Sequence, residues 1–276
     1  MKKKINLSGF KSGKVSEDRL FSWLSPQAPC LIVDGGAGIG HWVKSAKNKG
    51  LTGAFHCFEP FQKNVELFEK LGNLTDDIKL HTVALYNEDG TVKFTIRKTV
   101  KDDSKKKGYS SLGRVALDRH QNKNNEIETE VDSVRLDSVF SERINLLKLD
   151  LQGGEHEALL GAESLFKNRM ISSILMEFSG DIRNLKYLHK HGFVFFDNEI
   201  TANKSSDIYD GDITVTREVV KTTGVSSVKF FFNDEEPTSF KEYCERFRMV
   251  KKKGEYMQND LICIHKDFLD DFLGDN

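Results

Sequence analysis

The 276-residue sequence has no run of about 18 successive apolar residues, the minimum for a helix that crosses a bilayer, so no membrane span is expected. It has only four prolines and 21 glycines against 30% charged and 38% hydrophobic residues, which excludes collagenous, mucin-like and wholly disordered chains. Of its four cysteines, Cys30, Cys57, Cys244 and Cys263, none lies in a CxxC or in a Cys/His cluster at zinc-ligand spacing. Neither a disulfide framework nor a zinc module is expected, and no metal ligands are assigned. Cys30, Cys57 and Cys263 lie in apolar runs (PCLIVD, FHCFEP, DLICIH), where cysteine is a small buried hydrophobe. Net charge is also missing: 41 Lys and Arg against 42 Asp and Glu leave a formal −1, so neither a nucleic-acid partner nor a membrane surface is expected. The basic start Met1-Lys2-Lys3-Lys4 runs into polar residues, unlike the apolar core of an export signal, and a cytoplasmic location is expected.

What is present suffices for one large or two small domains at roughly 150 residues each. Residues 1–27 read as a polar, lysine-rich N-terminal extension with one apolar cluster, Leu20-Phe21-Ser22-Trp23-Leu24. From Pro29 short apolar runs alternate with amphipathic segments, the pattern of βα units on a parallel sheet, and residues 28–200 read as an α/β core. The spacing predicts strands at 30–34, 54–59 and 78–85, the last with 91–97 as a hairpin partner, then strands at 128–134, 146–150, 174–178 and 193–196. Between the last of these, one helix is predicted to carry Ala158, Leu159, Leu160, Ala162, Leu165 and Phe166. Residues 101–126 are charged and turn-rich and read as a long loop over one face of the sheet. Residues 201–255, with irregular strand-like pieces and one helix around Phe240 to Arg248, read as an insertion or cap subdomain. Residues 256–276 supply the last core strand, 260–265, and the C-terminus.

Asp34-Gly35-Gly36-Ala37-Gly38-Ile39-Gly40 follows the first strand and feeds a helix, a turn that lets a ligand approach bare backbone and a helix N-terminus. It misses the dinucleotide fingerprint G-x-G-x-x-G because the third glycine comes one residue early, which disfavours a nicotinamide enzyme. Asp34 beside the glycines would repel a pyrophosphate but suits a ligand with an amino or sulfonium group, and S-adenosylmethionine carries both. Glu59, at the end of the second strand, is placed to accept both hydroxyls of a ribose. A capping aspartate and a surface glutamate would explain each half separately, but not the pair.

The ordered segments LIVDGGAGIGHWV, FHCFEPFQKNVELF, LHTVALYNEDGTVKF, YSSLGRV, VRLDSVF, LLKLDLQGGEHEALLGA and ILMEF resemble the FkbM family of methyltransferases over about residues 28 to 200. The terminal QNDLICIHKDFL is similar to that family's last strand. The resemblance implies a Rossmann-like class I methyltransferase fold: a seven-stranded, mostly parallel sheet with helices on both faces, here with a C-terminal insertion or cap. It implies S-adenosylmethionine as donor and O-methylation of a hydroxyl on a sugar, glycan or nucleotide-linked small acceptor. Position by position, it implies Asp34, Gly36 and Gly38 around the methionine part, Glu59 at the ribose, and Val83, Ala84 and Leu85 at the adenine. Where the more frequent family form has Glu, this chain has Gln152.

Methyl transfer from a sulfonium is an in-line displacement, so it needs a group to position the acceptor oxygen and a base for its proton. Asp150 ends the fourth core strand and Glu177 lies near the end of the fifth, where carboxylates of a parallel sheet point toward the ligand crevice. With His156 on the following helix they form the candidate catalytic set. An unperturbed histidine titrates at about 6.5, which makes His156 a candidate base; its plainer reading is a partly exposed helix histidine. Asp150 and Glu177 are also oxygen ligands of the kind magnesium takes, but two carboxylates make a thin site and a divalent metal is the less favoured expectation. Tyr109-Ser110-Ser111-Leu112 is a candidate for hydrogen bonds to acceptor or cofactor, with loop closure as its plainer reading. The lysine runs 105–107 and 251–253 read as solvated, with an anionic acceptor as the alternative. The expected partner is a hydroxylated small-molecule or glycan acceptor. One alternative is methylation of an RNA ribose or cap, for which Lys148-Leu149-Asp150 offers a fragment of a Lys-Asp-Lys-Glu set while the near-neutral charge speaks against it. The other is a catalytically silent methyltransferase-fold binding subunit, against which the intact Asp34 and Glu59 speak. Nothing in the sequence sets the oligomeric state.

Overall fold

The computed structural model describes residues 14–27, 29–97, 113–115, 126–198, 204–210, 213–222, 225–232, 239–241, 244–245 and 259–274. The stretch Tyr109-Ser110-Ser111-Leu112 and the lysine runs 105–107 and 251–253 lie outside the described residues. The chain divides into two compact units, residues 21–175 and residues 1–20 with 176–276. A two-residue strand, β1 (Lys14–Val15), and helix α1 (Glu17–Leu24) come first.

In residues 21–175 strands and helices alternate as the sequence predicts. β2 (Leu31–Gly35) is buried along its whole length. Its apolar run is flanked on both edges by parallel neighbours, which leaves it no polar face. α2 (His41–Asn48) turns Val43 and Ala46 inward, and after β3 (Ala54–Phe58) the helix α3 (Gln62–Lys70) does the same with Val65 and Phe68. β4 (Ile78–His81) pairs in parallel with β3, Phe58 opposite His81.

The chain then leaves this sheet. β5 (Ala84–Leu85), β6 (Gly90–Arg97), β7 (Gly113–Val115) and β8 (Glu126–Val134) form a second sheet in the order β5-β8-β6-β7. The single strand expected over 78–85 is therefore two strands in two sheets, and 91–97 pairs antiparallel with β7 and β8, not with 78–85. The reason is packing: Ala84 is buried in a separate apolar cluster with Phe94, flanked by Phe61, Tyr86, Val92, Ile96 and Val131.

After the one-turn helix α4 (Leu136–Val139), β9 (Ile144–Leu149) lies beside β2 with Asp34 opposite Lys148 and Gly35 opposite Leu149. The helix predicted through Phe166 is broken into α5 (Glu155–Leu160) and α6 (Glu163–Lys167). Gly161 marks the break because the Tyr86 carbonyl occupies the place a Cβ would take, while the Gly161 carbonyl accepts from the Asp137 N–H at 3.1 Å. β10 (Ile171–Phe178) follows, giving the order β10-β9-β2-β3-β4, and in it the chain passes from one unit to the other.

The other unit contains α7 (Ile182–Lys190), capped by Asp181, whose Oδ1 accepts from the Arg183 N–H at 3.1 Å. β11 (Phe193–Asn198) pairs in parallel with β1. Where the sequence reads as an insertion or cap, β12 (Lys204–Asp210), β13 (Ile213–Thr222) and β14 (Val225–Phe232) make a regular antiparallel sheet, Val215 opposite Phe232. The helix expected around Phe240 to Arg248 is described only at 239–241 and 244–245. β15 (Asn259–His265) runs antiparallel to β11, with Phe195, Leu261, Ile262, Cys263 and Ile264 fully buried, and a short helix, Leu269–Leu273, ends the unit. Among the described residues, the expected α/β class of mostly parallel sheet with alternating helices is met, with β2, β3, β4 and β9 in one unit and β11 with β15 in the other. No helix among them is long and apolar enough to cross a membrane.

Candidate active site

The turn after β2 has three glycines at positive φ: Gly36 at 75°, Gly38 at 57° and Gly40 at 86°. Gly36 has no room for a side chain, because a Cβ would collide with the Asp150 carbonyl; here the turn after β2 touches the turn after β9. At Gly38 a Cβ would meet nothing within 4 Å, so this side of the turn is open. The rest of the turn is pinned. The Gly36 and Ala37 N–H groups both donate to the Phe58 carbonyl at 3.0 Å, and the buried Asn73 donates from Nδ2 to the Ile39 carbonyl at 2.7 Å.

Glu59 lies just past β3 and is buried. Its Oε2 accepts from the Gly38 N–H at 2.9 Å and its Oε1 from the Phe61 N–H at 2.8 Å. Burial pushes the carboxyl up to about 7, opposed by the hydrogen bonds from Phe61, Gly38 and Asn64. Glu59 thus grips the glycine turn from the neighbouring strand. A carboxylate has about four lone-pair sites, so it keeps capacity for a ligand hydroxyl.

Asp34 is fully buried, and burial raises its carboxyl while the Lys148 ammonium acts in the opposite direction. The parallel register sets the two residues side by side, with Lys148 Nζ 2.8 Å from Asp34 Oδ1. The sequence reading leaves the Asp34 charge for a cationic ligand; the fold supplies a counter-ion from within the chain. Lys148 Nζ also lies 3.5 Å from the Gly36 carbonyl, 3.9 Å from Asp150 Oδ2 and 5.6 Å from the centre of the Trp42 ring.

Asp150 is half-buried at the end of β9. Its N–H donates to the Gly35 carbonyl at 3.1 Å, and its Oδ1 accepts from Gln152 Nε2 at 2.9 Å. Gln152 itself has φ 55°, a left-handed conformation uncommon outside glycine. Glu155, buried at the start of α5, holds this turn: its Oε1 accepts from the N–H groups of Leu151 at 2.9 Å and Gly153 at 3.1 Å, and burial pushes its carboxyl up to about 6. His156 is half-buried on α5.

The structure therefore brings Asp34, Gly36 and Asp150 together around Lys148, and Gly38 together with Glu59. Ala84 sits in the apolar cluster of the second sheet, and Glu177, half-buried in β10, belongs to the other unit. Among the described residues no group of three or more His, Cys, Asp or Glu is placed to hold a metal ion. Two residues escape the sequence reading as parts of the site, Asn73 and Glu155, and Lys148 enters it only as a fragment of a Lys-Asp-Lys-Glu set in the RNA alternative. The lysine has a usable signal, since lysine inside an apolar strand (LLKLD) is almost never buried unless paired. On β3 and β4, His56 Nδ1 and His81 Nε2 are 3.0 Å apart, so one ring donates to the other; burial holds both below the ordinary imidazole range, His81 at about 4.

An α/β sheet with an open glycine turn at the end of one strand, gripped by a carboxylate from the end of the next, is consistent with a Rossmann-like class I methyltransferase fold. The Methyltransferase FkbM domain matches residues 34–199, more than half of the sequence, and the chain belongs to the FkbM methyltransferase family. Among solved structures it is similar to a methyltransferase FkbM from Methylobacillus flagellatus KT, at 16% identity and TM-score 0.40, covering 63% of this chain and 40% of that one. The chain thus spans well under half the length of that relative. It is similar to a putative RNA methyltransferase from Pyrococcus horikoshii, at 11% identity and TM-score 0.40, covering 90% and 83% of the two chains. A third is the magnesium protoporphyrin IX methyltransferase from Synechocystis PCC 6803 with bound SAM, at 10% identity and TM-score 0.38, covering 90% and 77%. No curated protein matches the sequence.

Proposed function

We propose that the chain is a cytoplasmic, S-adenosylmethionine-dependent O-methyltransferase acting on a hydroxyl of a sugar, glycan or nucleotide-linked small acceptor. The observation that carries this reading is the grip of Glu59 on an open glycine turn: Oε2 holds the Gly38 N–H at 2.9 Å, and the Cβ position of Gly38 faces empty space. A nucleoside donor fits there. Its ribose hydroxyls can use the remaining acceptor capacity of Glu59, and the bare Gly38 backbone allows the close approach a side chain would block. The bound donor supplies an electrophilic methyl group on a sulfonium.

The chain's own residues then have two tasks. Asp150, a half-buried carboxylate beside the glycine turn, takes the proton of the acceptor hydroxyl as that oxygen bonds to the methyl carbon. Gln152 orients it by donating to Oδ1 at 2.9 Å. His156 and Glu177 are the other bases to test. Family membership supports methyl transfer, while the acceptor class is supported by the sequence resemblance alone. A divalent metal is not part of this reading.

Calorimetric titration with S-adenosylmethionine and, separately, S-adenosylhomocysteine tests it. Binding at about micromolar strength, roughly −8 kcal/mol, is expected. Binding of neither overturns the enzyme reading and leaves a silent binding subunit. Transfer of labelled methyl to a panel of sugars, glycans and nucleotide sugars, with RNA alongside, then identifies the acceptor. Asp150→Asn is expected to lower turnover more than donor affinity, and normal turnover would move the base to His156 or Glu177.

A further inference from the structure

We propose that Lys148 is a positioning residue that fixes the turn after β9 against the glycine turn after β2, a role that rests on the donor reading above. An ammonium has three N–H donors. Nζ is 2.8 Å from Asp34 Oδ1 and 3.5 Å from the Gly36 carbonyl, and lies at an ion-pair distance of 3.9 Å from Asp150 Oδ2. The face of Trp42 flanks it at 5.6 Å. The lysine is 7% exposed, so little of its charge is met by water.

Each partner belongs to a different part of the site. Asp34 is in β2, Gly36 in the glycine turn, Asp150 in the turn after β9 and Trp42 in α2. The two turns are already in hard contact, since Gly36 has no room for a Cβ against the Asp150 carbonyl. A single cation shared at that contact sets where the Asp150 carboxylate stands relative to the open side of Gly38. Paired with Asp34, within reach of the Gly36 carbonyl and at ion-pair distance from Asp150, Lys148 acts through them and not as a base or nucleophile.

Charge balance and positioning can be separated. Asp34, Lys148 and Asp150 together carry one net negative charge, and the double variant Asp34→Asn/Lys148→Met keeps that sum while removing the link. Lys148→Met alone strands a buried carboxylate and is expected to lower the Tm sharply. The double variant is expected to recover most of that loss, yet to bind S-adenosylhomocysteine about tenfold more weakly than the wild type. In the ligand-free proteins, the Gly36 and Asp150 amides, bonded to the Phe58 and Gly35 carbonyls, should exchange hydrogen about tenfold faster in the double variant. Asp34→Asn/Lys148→Leu serves the same comparison where the methionine pair does not fold. Unchanged exchange at both amides in a folded double variant overturns the proposal whatever the titration gives. Equal product affinity in the double variant and a binding-competent wild type overturns it too. A wild type that binds neither donor nor product overturns the functional reading instead, and the exchange rates still decide the link.

Discussion

Two strand-to-helix turns meet in residues 21–175, and each is held by a buried glutamate that accepts two backbone N–H groups. In the turn after β9, Glu155 accepts from Leu151 and Gly153, four and two residues away, at the start of the same helix. In the turn after β2, Glu59 accepts from Gly38, 21 residues back in the turn itself, and from Phe61. The first clamp is a property of one helix start. The second exists only once β2 and β3 are paired, so the shape of the glycine turn reports on the sheet around it. Their electrostatics differ as well: burial brings Glu59 to about 7 and Glu155 to about 6, so near neutrality the glycine-turn clamp is the first to take up a proton.

The contact between the turns is where the largest effect is expected. Gly36→Ala combines a left-handed φ with a collision against the Asp150 carbonyl and should cost about 4 kcal/mol of stability in chemical denaturation. Gly38→Ala, with open space around it, should cost only about 1 kcal/mol and instead weaken donor binding. Next come the clamps themselves. Glu59→Ala should cost about 3 kcal/mol and weaken S-adenosylhomocysteine binding, whereas Glu155→Ala should cost about 2 kcal/mol and leave that affinity nearer the wild type. Equal losses of affinity in the two variants would break the distinction between a clamp on the donor turn and a clamp on the other.

Acidification sharpens the same contrast. The Glu59 carboxyl rises from 4.5 in its ordinary state to about 7 in the fold, so the folded protein holds that proton more tightly than the unfolded chain. Its contribution to stability is full below about pH 4.5 and is lost as the pH rises through about 7. The grip on two N–H groups is stronger in the ionised form, because protonation turns one oxygen into a donor and leaves it a weaker acceptor. Donor affinity should therefore fall between about pH 8 and about pH 6 while this group's contribution to stability grows, a divergence that titrations and melts in the same buffers would show. An effect on stability as small as that of Gly38→Ala is expected from Asn73→Ala, which removes one hydrogen bond to the Ile39 carbonyl, about 1 kcal/mol.

The glycine turn, Asp34 and Glu59 are legible in the sequence because strand ends and turns are written in local chemistry: an apolar run, then an acid, then residues free to adopt positive φ. The breaks at Thr82-Val83 and Gly161 are not legible, because each is imposed from a distance, one by the cluster around Phe94 and the other by the Tyr86 carbonyl. The cap region shows the opposite failure. Its pieces look irregular in sequence, yet β12, β13 and β14 pair in regular antiparallel register, since pairing partners and not periodicity define a strand there.

By itself the sequence determines the α/β class, the first βα units of the core, the family, and where the glycine turn falls. These follow from patterns within a few residues of one another. Only the tertiary structure decides that Asp34 meets Lys148 before it can meet a ligand, that Glu59 grips Gly38, and that Gly36 abuts Asp150. Electrostatic and hydrogen-bond energies depend on separation in space, and residues far apart in the chain come within 3 Å only when β9 and β3 take their registers on either side of β2.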